Sequence, residues 1–208
     1  MSLVVAAGAS CRTAAPSPSV AIVQPGAPGE STRVISPAAA IDVSKVTYTV
    51  ADVQFMQGMI GHHAQAVEMV DLIGARTGRE SVRLLGRRIA ASQVDEIMLM
   101  QRWLQVRGQE VPGEHAHHEH DATLMPGMLT PDEMARLQAA KGVEFDRLFL
   151  EGMIKHHAGA ITMVNQLFST PAAGQEVAMF TFASDVDADQ RIEIGRMSAM
   201  LDDILKES

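Results

Sequence analysis

An internal repeat constrains the fold of this chain more than any other feature of its sequence. Segment 52–70 reads DVQFMQGMIGHHAQAVEMV, and segment 146–164 reads DRLFLEGMIKHHAGAITMV. Aligned without a gap, they are identical at 11 of 19 positions. A repeat of this kind indicates one supersecondary unit present twice, whose copies bury their apolar faces against each other. A second set of matches follows further along: Gln93, Glu96, Ile97, Met100 and Leu104 recur as Gln190, Glu193, Ile194, Met197 and Leu201.

The composition favours helices over strands. Aromatic residues make up only 4% of the chain, whereas it contains 14 Met. We predict four main helices at about 50–75, 78–107, 143–168 and 171–206, and a short one at about 131–140. Short connections within each copy make its two helices antiparallel neighbours. The expected fold is all-α, a four-helix bundle built from two repeated helical hairpins with pseudo-twofold symmetry.

Capping signals set the expected helix starts. In a capping box, a hydroxyl and a carboxylate three residues later bond to each other's free backbone N–H groups. Proline is also favoured at the first helical position. The signals we use are Thr49 with Asp52, Thr77 with Glu80, Thr130 with Pro131 and Glu133, and Thr170 with Pro171.

The first 45 residues differ in composition from the rest. Residues 1–11 are small and apolar, and residues 12–40 are rich in Ala, Pro and Ser, which is typical of a signal-peptide remnant followed by a flexible tether. The small residues before Cys11 resemble a lipoprotein cleavage site, so Cys11 is a candidate lipid anchor. We therefore expect a secreted protein or one held on the outer face of the cell membrane. The bundle would occupy 46–208, with repeat 1 at about 48–107, a His-rich linker at 108–130 and repeat 2 at about 131–206.

Charge and motifs exclude several functions. The formal net charge is −8 and no basic stripe is present, so we do not expect nucleic acid as a partner. The sequence has no nucleophile motif, no phosphate-binding glycine loop and no H-E-x-x-H motif, which weighs against an enzyme without deciding the question.

The repeated pairs His62–His63 and His156–His157 are the strongest candidates for a functional site. Neighbouring residues on a helix point about 100° apart, so the two members of a pair face different directions. Which member faces the core is left open. Because imidazole gains little from a dry core unless it is hydrogen-bonded, we interpret the pairs as metal ligands. A buried polar network is the alternative.

Methionines accompany both pairs at helical spacing. Met59 lies three residues before His62, and Met69 lies two turns after it on the same face. Met153 and Met163 repeat this spacing in the second copy. Thioethers with imidazole select Cu(I), whereas imidazole also suits zinc and iron. Copper is therefore the expected metal, with zinc or iron as alternatives, and methionine packing is the competing interpretation.

The partner helices offer Glu96 and Glu193. Each carboxylate could orient an imidazole through a hydrogen bond or bind metal directly. Di-iron bundles use Glu-x-x-His motifs, but Met59 and Met153 stand three residues before His62 and His156. This replacement of oxygen by sulfur favours copper over a di-iron centre.

The linker supplies further candidate ligands. Its histidines are dense and lie outside the predicted helices, and such tracts bind metals with poor selectivity. We expect auxiliary metal binding there, by His115, His117, His118 and His120.

From about residue 48 to its end, the sequence resembles the DUF305 family, whose function is unknown. The resemblance implies a ferritin-like helical bundle in an exported or lipid-anchored bacterial protein, and for some members an association with copper handling. It rests on the doubled Met-Ile-x-His-His motif and its surroundings: Phe55, Met59, Ile60, His62, His63, Ala66 and Met69; Phe149, Met153, Ile154, His156, His157, Ala160 and Met163; Gln93, Glu96, Gln190 and Glu193; and Pro126-Gly127-Met128.

Together these features predict an exported copper-binding or copper-buffering protein whose partners are metal ions. Two alternatives stay open: a ferritin-like redox metalloenzyme, and a structural or interaction bundle whose histidine pairs only pack. The metal site could form within one chain or across a homodimer.

Overall fold

The computed structural model describes residues 21–24, 31–41, 46–113 and 124–207. The chain divides into two compact units, Met1–Lys45 and Val46–Ser208. Five residues that the sequence analysis selected lie outside the described ranges: Cys11, His115, His117, His118 and His120. The lipid anchor and the auxiliary linker site therefore stay predictions.

The described part of the first unit is a small β-pair followed by one helical turn. Strand β1 (Ile22–Gln24) pairs antiparallel with β2 (Arg33–Ile35), so that Ile22 lies opposite Ile35. Helix α1 (Pro37–Ala40) begins after Ser36, whose hydroxyl accepts a hydrogen bond from the Ala39 N–H at 3.1 Å. The sequence analysis does not predict these strands. None of the residues of this unit whose burial is described is buried, so backbone hydrogen bonds rather than a core hold the pair together.

The described part of the second unit is helical, which confirms the predicted mostly helical fold. The predicted bounds of α3, α4 and α5 are correct to within two residues, whereas α2 ends earlier and α6 begins later than expected. The helices are α2 (Val50–Asp71), α3 (Glu80–Gln105), α4 (Pro131–Ala139), α5 (Gly142–Ser169) and α6 (Val177–Glu207).

Two of the predicted capping boxes are confirmed. At α2, the Thr49 hydroxyl accepts from the Asp52 N–H at 3.2 Å, and the Asp52 carboxylate accepts from the Thr49 N–H at 2.6 Å. Thr130 and Glu133 make the same reciprocal pair at α4, with proline at its start. The second oxygen of the buried Asp52 accepts from the Gly174 N–H at 2.7 Å. Asp52 therefore also ties the start of α2 to the turn before α6.

The predicted capping box of Thr77 with Glu80 is wrong. Helix α3 begins at Glu80 with Arg79 as its N-cap, and no side chain caps it. The Thr77 hydroxyl instead accepts from the Arg79 N–H, two residues on, at 2.9 Å. Threonine hydroxyls readily close such local turns in competition with helix capping. The Arg79 side chain is held by ion pairs with Asp146 and Glu207, which come from the later helices.

The predicted start of the last helix at Thr170 and Pro171 is also wrong. Thr170 is the C-cap of α5, and its hydroxyl donates back to the Gln166 carbonyl at 2.8 Å. Ala172 and Gly174 have φ angles of 64° and 68°, in the left-handed region that a right-handed helix cannot include. The chain therefore turns at these residues before α6 begins.

The side chain of Glu176 supplies the missing cap of α6. Its carboxylate accepts from the Met179 N–H at 3.0 Å and from the Trp103 indole N–H at 3.2 Å. It also accepts from the Arg107 guanidinium at 3.1 Å, and that guanidinium lies 4.1 Å from the centre of a Trp103 ring. Glu176 thus joins the start of α6 to the end of α3.

The long helices pack as two antiparallel pairs. Helix α2 packs against α3, α5 against α6, and the pairs meet through α2 and α5. Tyr48, before α2, contacts Trp103 near the end of α3 with ring centroids 5.4 Å apart, and Phe168 contacts Phe180 at 5.7 Å. The short helix α4 packs on α5. The ferritin-like assignment and the pseudo-twofold relation of the pairs stay predictions.

The core consists of two apolar clusters, each containing side chains from all four long helices. The first core cluster includes Met59, Trp103, Met163 and Met179, and the second includes Met69, Leu85, Phe149 and Met197. Across the described ranges, no helix combines the length and the hydropathy that crossing a bilayer requires.

We expect Glu176→Gln to lower the free energy of unfolding by about 1–2 kcal/mol at neutral pH. Burial alone raises the pKa of Glu176, but the hydrogen bonds from Trp103 and Met179 and the charge of Arg107 outweigh it and lower the pKa overall. A carboxylate with a lowered pKa stabilises the folded state above its ordinary pKa, and this contribution is lost as pH falls through the lowered value.

Urea denaturation of the full chain at neutral pH and below about pH 4 measures this effect. The difference between Glu176→Gln and wild type should shrink at the lower pH. Glu110→Gln, at an exposed position, is the control. Equal losses for both variants at neutral pH would contradict the bridging role of Glu176.

Candidate metal centre

The four histidines of the repeated pairs lie together in the core. His62, His63 and His157 are 0% exposed and His156 is 1% exposed. His62 on α2 and His156 on α5 face each other between the two helix pairs, with ring centroids 3.8 Å apart and ring planes tilted by 36°. The structure therefore answers the question that the sequence left open, because both members of each pair point inward, in different directions.

The other two histidines face carboxylates on their neighbouring helices. His63 Nε2 donates to Glu96 Oε2 on α3 at 2.5 Å, and His157 Nε2 donates to Glu193 Oε2 on α6 at 2.7 Å. These repeat-related contacts place Glu96 and Glu193 beside the imidazoles as hydrogen-bond acceptors. Of the two roles the sequence left open, the structure contains the orienting one, and direct metal binding by either carboxylate stays a prediction.

His62 and His156 donate to backbone carbonyls. His62 Nε2 lies 2.9 Å from the Pro126 oxygen, and His156 Nε2 lies 2.8 Å from the His62 oxygen. A carbonyl oxygen can only accept, so Nε2 must carry the proton in both rings. In a neutral ring, Nδ1 then holds a free lone pair. Within the described part of the chain, the buried Nδ1 atoms of all four histidines have no hydrogen-bond partner.

Burial keeps the facing imidazoles neutral. Desolvation, followed by the neighbouring His63, lowers the pKa of His62 to about 3. Desolvation and then His62 lower the pKa of His156 well below its ordinary value. The charged form of an imidazole is unfavourable in an apolar interior. At neutral pH these two rings therefore keep the Nδ1 lone pairs that a metal ion would need.

The outer side of the centre is acidic. Burial raises the pKa of Glu96, but its hydrogen bonds with His63 and Ser92 outweigh burial and lower the pKa overall. Asp189 on α6 has a raised pKa because of burial and because of the negative charges of Glu96 and Glu193. The carboxylates of the two histidine pairs are thus near enough to act on a common neighbour.

The segment whose carbonyl accepts the hydrogen bond from His62 packs tightly against α5. A Cβ on Gly159 would lie 1.9 Å from the Pro126 oxygen, so only glycine fits there. Gln65 holds the other end of the segment by accepting from the Leu129 N–H at 2.7 Å and donating to the Leu129 oxygen at 2.9 Å. Sequence analysis does not select this segment for the site. The available signal is that Gln65 and Gly159 occupy equivalent repeat positions yet differ.

The predicted methionine ligands are buried and pair across the two repeats. Met59, Met69 and Met153 are 0% exposed and Met163 is 8% exposed. Met59 and Met163 share the first core cluster, whereas Met69 and Met153 share the second. Each of these methionines therefore shares a cluster with one from the other repeat. The sequence had grouped them within each repeat, and their role as ligands stays a prediction.

The centre does not contain a preformed site of nitrogen and oxygen ligands alone. In the described ranges, no three His, Cys, Asp or Glu side chains are grouped so as to hold a metal ion. Any site here must therefore include other donors, such as thioethers, or form by small movements of side chains.

The geometry can be set beside known proteins. The family model for DUF305, a domain of unknown function, matches residues 52–201. The chain belongs to the DUF305 family. A DUF305 protein from Streptomyces coelicolor, described as a candidate secreted protein, is 28% identical over 74% of this chain and 93% of its own, with a TM-score of 0.62. A DUF305 fragment from Deinococcus radiodurans is 31% identical over 74% and 97%, also with a TM-score of 0.62.

The DUF305 chain is also similar to CopM in its Cu(I)-bound form. The identity is 26% over 76% of this chain and 98% of that chain, with a TM-score of 0.57. None of the curated proteins compared matches the chain.

The hydrogen-bond pattern predicts that Nε2 carries a proton in all four buried histidines, because each Nε2 donates to a carbonyl or carboxylate oxygen. In His62 and His156, whose pKa values burial lowers, Nδ1 should carry none at neutral pH. Long-range ¹H–¹⁵N correlation spectra of the metal-free protein distinguish the two nitrogens. A buried ring without a proton on Nε2, or a proton on Nδ1 of His62 or His156, would contradict the assignment for that residue.

Substituting Gly159 tests the close contact between the Pro126 carbonyl and α5. We expect Gly159→Ala to destabilise the fold by about 1–3 kcal/mol, since the new methyl group must displace the Pro126 carbonyl. Gly195→Ala on α6 is the matched control because no atom lies within 4 Å of its Cβ position. That control should stabilise the helix by about 0.5–1 kcal/mol. Thermal and urea denaturation measure both, and a neutral Gly159→Ala would show that the segment does not rest on α5.

Proposed function

We propose that this DUF305 protein binds copper, with the buried histidines as nitrogen ligands and the buried methionines as sulfur ligands. One observation carries the proposal: each imidazole donates its Nε2–H to a protein oxygen, while its buried Nδ1 has no partner among the described residues. A metal-ligating histidine almost always donates its second ring N–H to a carboxylate or carbonyl. The observed bonds therefore favour Nδ1 as the ligating atom and Glu96 and Glu193 as orienting groups.

The residue types favour copper over zinc or iron. Structural zinc sites take four nitrogen, sulfur or oxygen ligands in a tetrahedron, and no group of three such His, Cys, Asp or Glu residues occurs in the described ranges. Thioethers, in contrast, select Cu(I), and buried methionines lie within two helical turns of the histidines along both α2 and α5. The similarity to CopM, solved in Cu(I)-bound, Cu(II)-bound and Ag-bound forms, supports the same preference.

We further propose that the protein buffers or delivers copper outside the cytoplasm. The candidate secreted protein among its relatives supports this location, as do the composition of residues 1–40 and the cleavage-like sequence before Cys11. Lipidation at Cys11, auxiliary binding by the linker histidines and a homodimer belong to the same proposal.

The two alternatives have less support. A redox metalloenzyme with a two-metal centre needs bridging carboxylates, and Glu96 and Glu193 each bond to an imidazole instead. A bundle whose histidines only pack explains the four Nε2–H bonds. It does not explain why four buried Nδ1 atoms lack partners, since each unsatisfied polar atom costs about 1–3 kcal/mol.

A Cu(I) titration tests the proposal. Metal-stripped full-length protein is titrated anaerobically, under reducing conditions, against a competing chelator. We expect tight binding that is lost in the bundle variant, with His62, His63, His156 and His157 changed to Ala. The matched linker variant, with His115, His117, His118 and His120 changed to Ala, should keep it.

A milder variant guards against loss of folding. Glu96→Gln with Glu193→Gln removes only the orienting carboxylates and should weaken Cu(I) binding by about 10–100-fold. Circular dichroism checks that each variant is folded. Tight binding kept by the bundle variant and lost by the linker variant would move the site to the linker. Weak binding by every form would reject copper and favour the packing alternative.

A further inference from the structure

A groove of about 320 Å³ opens between α2 and α5 on the Gly58 side of the histidine centre. Its lining includes Gln54, Gly58, Met125, Met163 and Gln166, and none of the described residues that line it is charged. Oxygen-preferring cations are bound by carboxylates, so this groove does not suit them. Its distinctive donors are two thioethers.

Both thioether side chains lie over the same glycine. A Cβ built on Gly58 would lie 3.3 Å from Met125 Sδ and 3.6 Å from the Met163 methyl group. Gly58 precedes His62 by four residues, about one helical turn. Met125 is partly exposed, whereas Met163 is 8% exposed. The pair therefore connects the solvent side of the groove with the first core cluster, which also contains Met59.

The repeat supplies an internal comparison. Gly152, equivalent to Gly58, faces Leu129 at 3.1 Å and the Met69 methyl group at 3.2 Å. Leu129 is 4% exposed and Met69 is 0% exposed. A leucine thus covers the glycine on the second side. A groove of about 210 Å³ opens there too, but its described lining includes charged side chains and no methionine. The first side has a methionine in that place, and its sulfur faces an open groove, so packing alone does not account for Met125.

We propose that Met125 and Met163 form a surface site for soft monovalent cations, which receives Cu(I) or Ag(I) before the ion reaches the buried imidazoles. Thioethers select such ions. Met125 directly precedes Pro126, whose carbonyl holds the His62 ring, so an ion at this site is next to the segment that positions the centre. The entry role rests on the proposed function, whereas binding of the ion in the groove does not.

The site is tested with Ag(I), which matches the charge of Cu(I). The full chain is labelled with ¹³C in its methionine methyl groups, and the signals of Met125 and Met163 are assigned from single Met→Leu variants. We expect both signals to shift on adding Ag(I), also in the bundle variant that lacks the four histidines. Met125→Leu, which copies the Leu129 arrangement, should lower the groove affinity for Ag(I) by about tenfold or more.

Two matched variants control for packing effects. Met98→Leu changes a 53% exposed methionine on α3 and should leave the affinity unchanged. Leu129→Met introduces a thioether beside Gly152 and should not create an equal site, since Met69 is 0% exposed and charged side chains line the groove there. Unshifted Met125 and Met163 signals at saturating Ag(I), or equal effects of Met125→Leu and Met98→Leu, would overturn the proposal.

The entry role has its own measurement. Stopped-flow transfer of Cu(I) from a chelator to the wild-type centre should slow by about tenfold or more in Met125→Leu, while the equilibrium affinity of the centre stays unchanged. Equal transfer rates would overturn the entry role. Histidine binding without a shift of the Met125 signal would leave the proposed function standing and reject the groove. A Met125 shift without histidine binding would reject the proposed function and leave the groove site standing.

Discussion

The donation of each buried Nε2–H to a protein oxygen is the interaction on which the rest of this structure depends. Four imidazoles in a dry core would be costly without such acceptors. The acceptors come from different places: two carboxylates on α3 and α6, the carbonyl of Pro126, and the carbonyl of His62. The bonds of His63 with Glu96 and of His157 with Glu193 constrain the registers of α2 with α3 and of α5 with α6. The bond from His62 holds the segment around Pro126 against the bundle.

The repeat and the local chemistry allowed much of this to be predicted. The helices and the caps at Thr49 and Thr130 follow from periodicity and short-range bonding. The sequence left open which histidine of each pair faces the core. The starts of α3 and α6 could not be predicted, because tertiary contacts of Arg79 and Glu176 decide them. Glutamate is not a usual N-cap residue, so the sequence around Glu176 does not mark it as the cap of α6.

The partners of the facing histidines were beyond sequence analysis for another reason. Every residue has a backbone carbonyl, so the identity of Pro126 does not indicate that its carbonyl accepts a hydrogen bond from His62, 64 residues away. The pairing of Met59 with Met163 likewise requires that α2 and α5 be antiparallel, which spacing within one helix cannot reveal. The difference between the equivalent positions Gln65 and Gly159 was the best available indication that segment 126–129 contacts the two repeats differently.

The facing pair His62 and His156 takes one ring from each repeat. One repeat alone would therefore present a single exposed imidazole and an uncovered apolar face. If the chain arose by duplication of such a unit, its ancestor could build this centre only by associating with a second copy of itself. Fusion into one chain would make assembly independent of protein concentration. It would also free each half to change separately, as the differing neighbours of Gly58 and Gly152 illustrate.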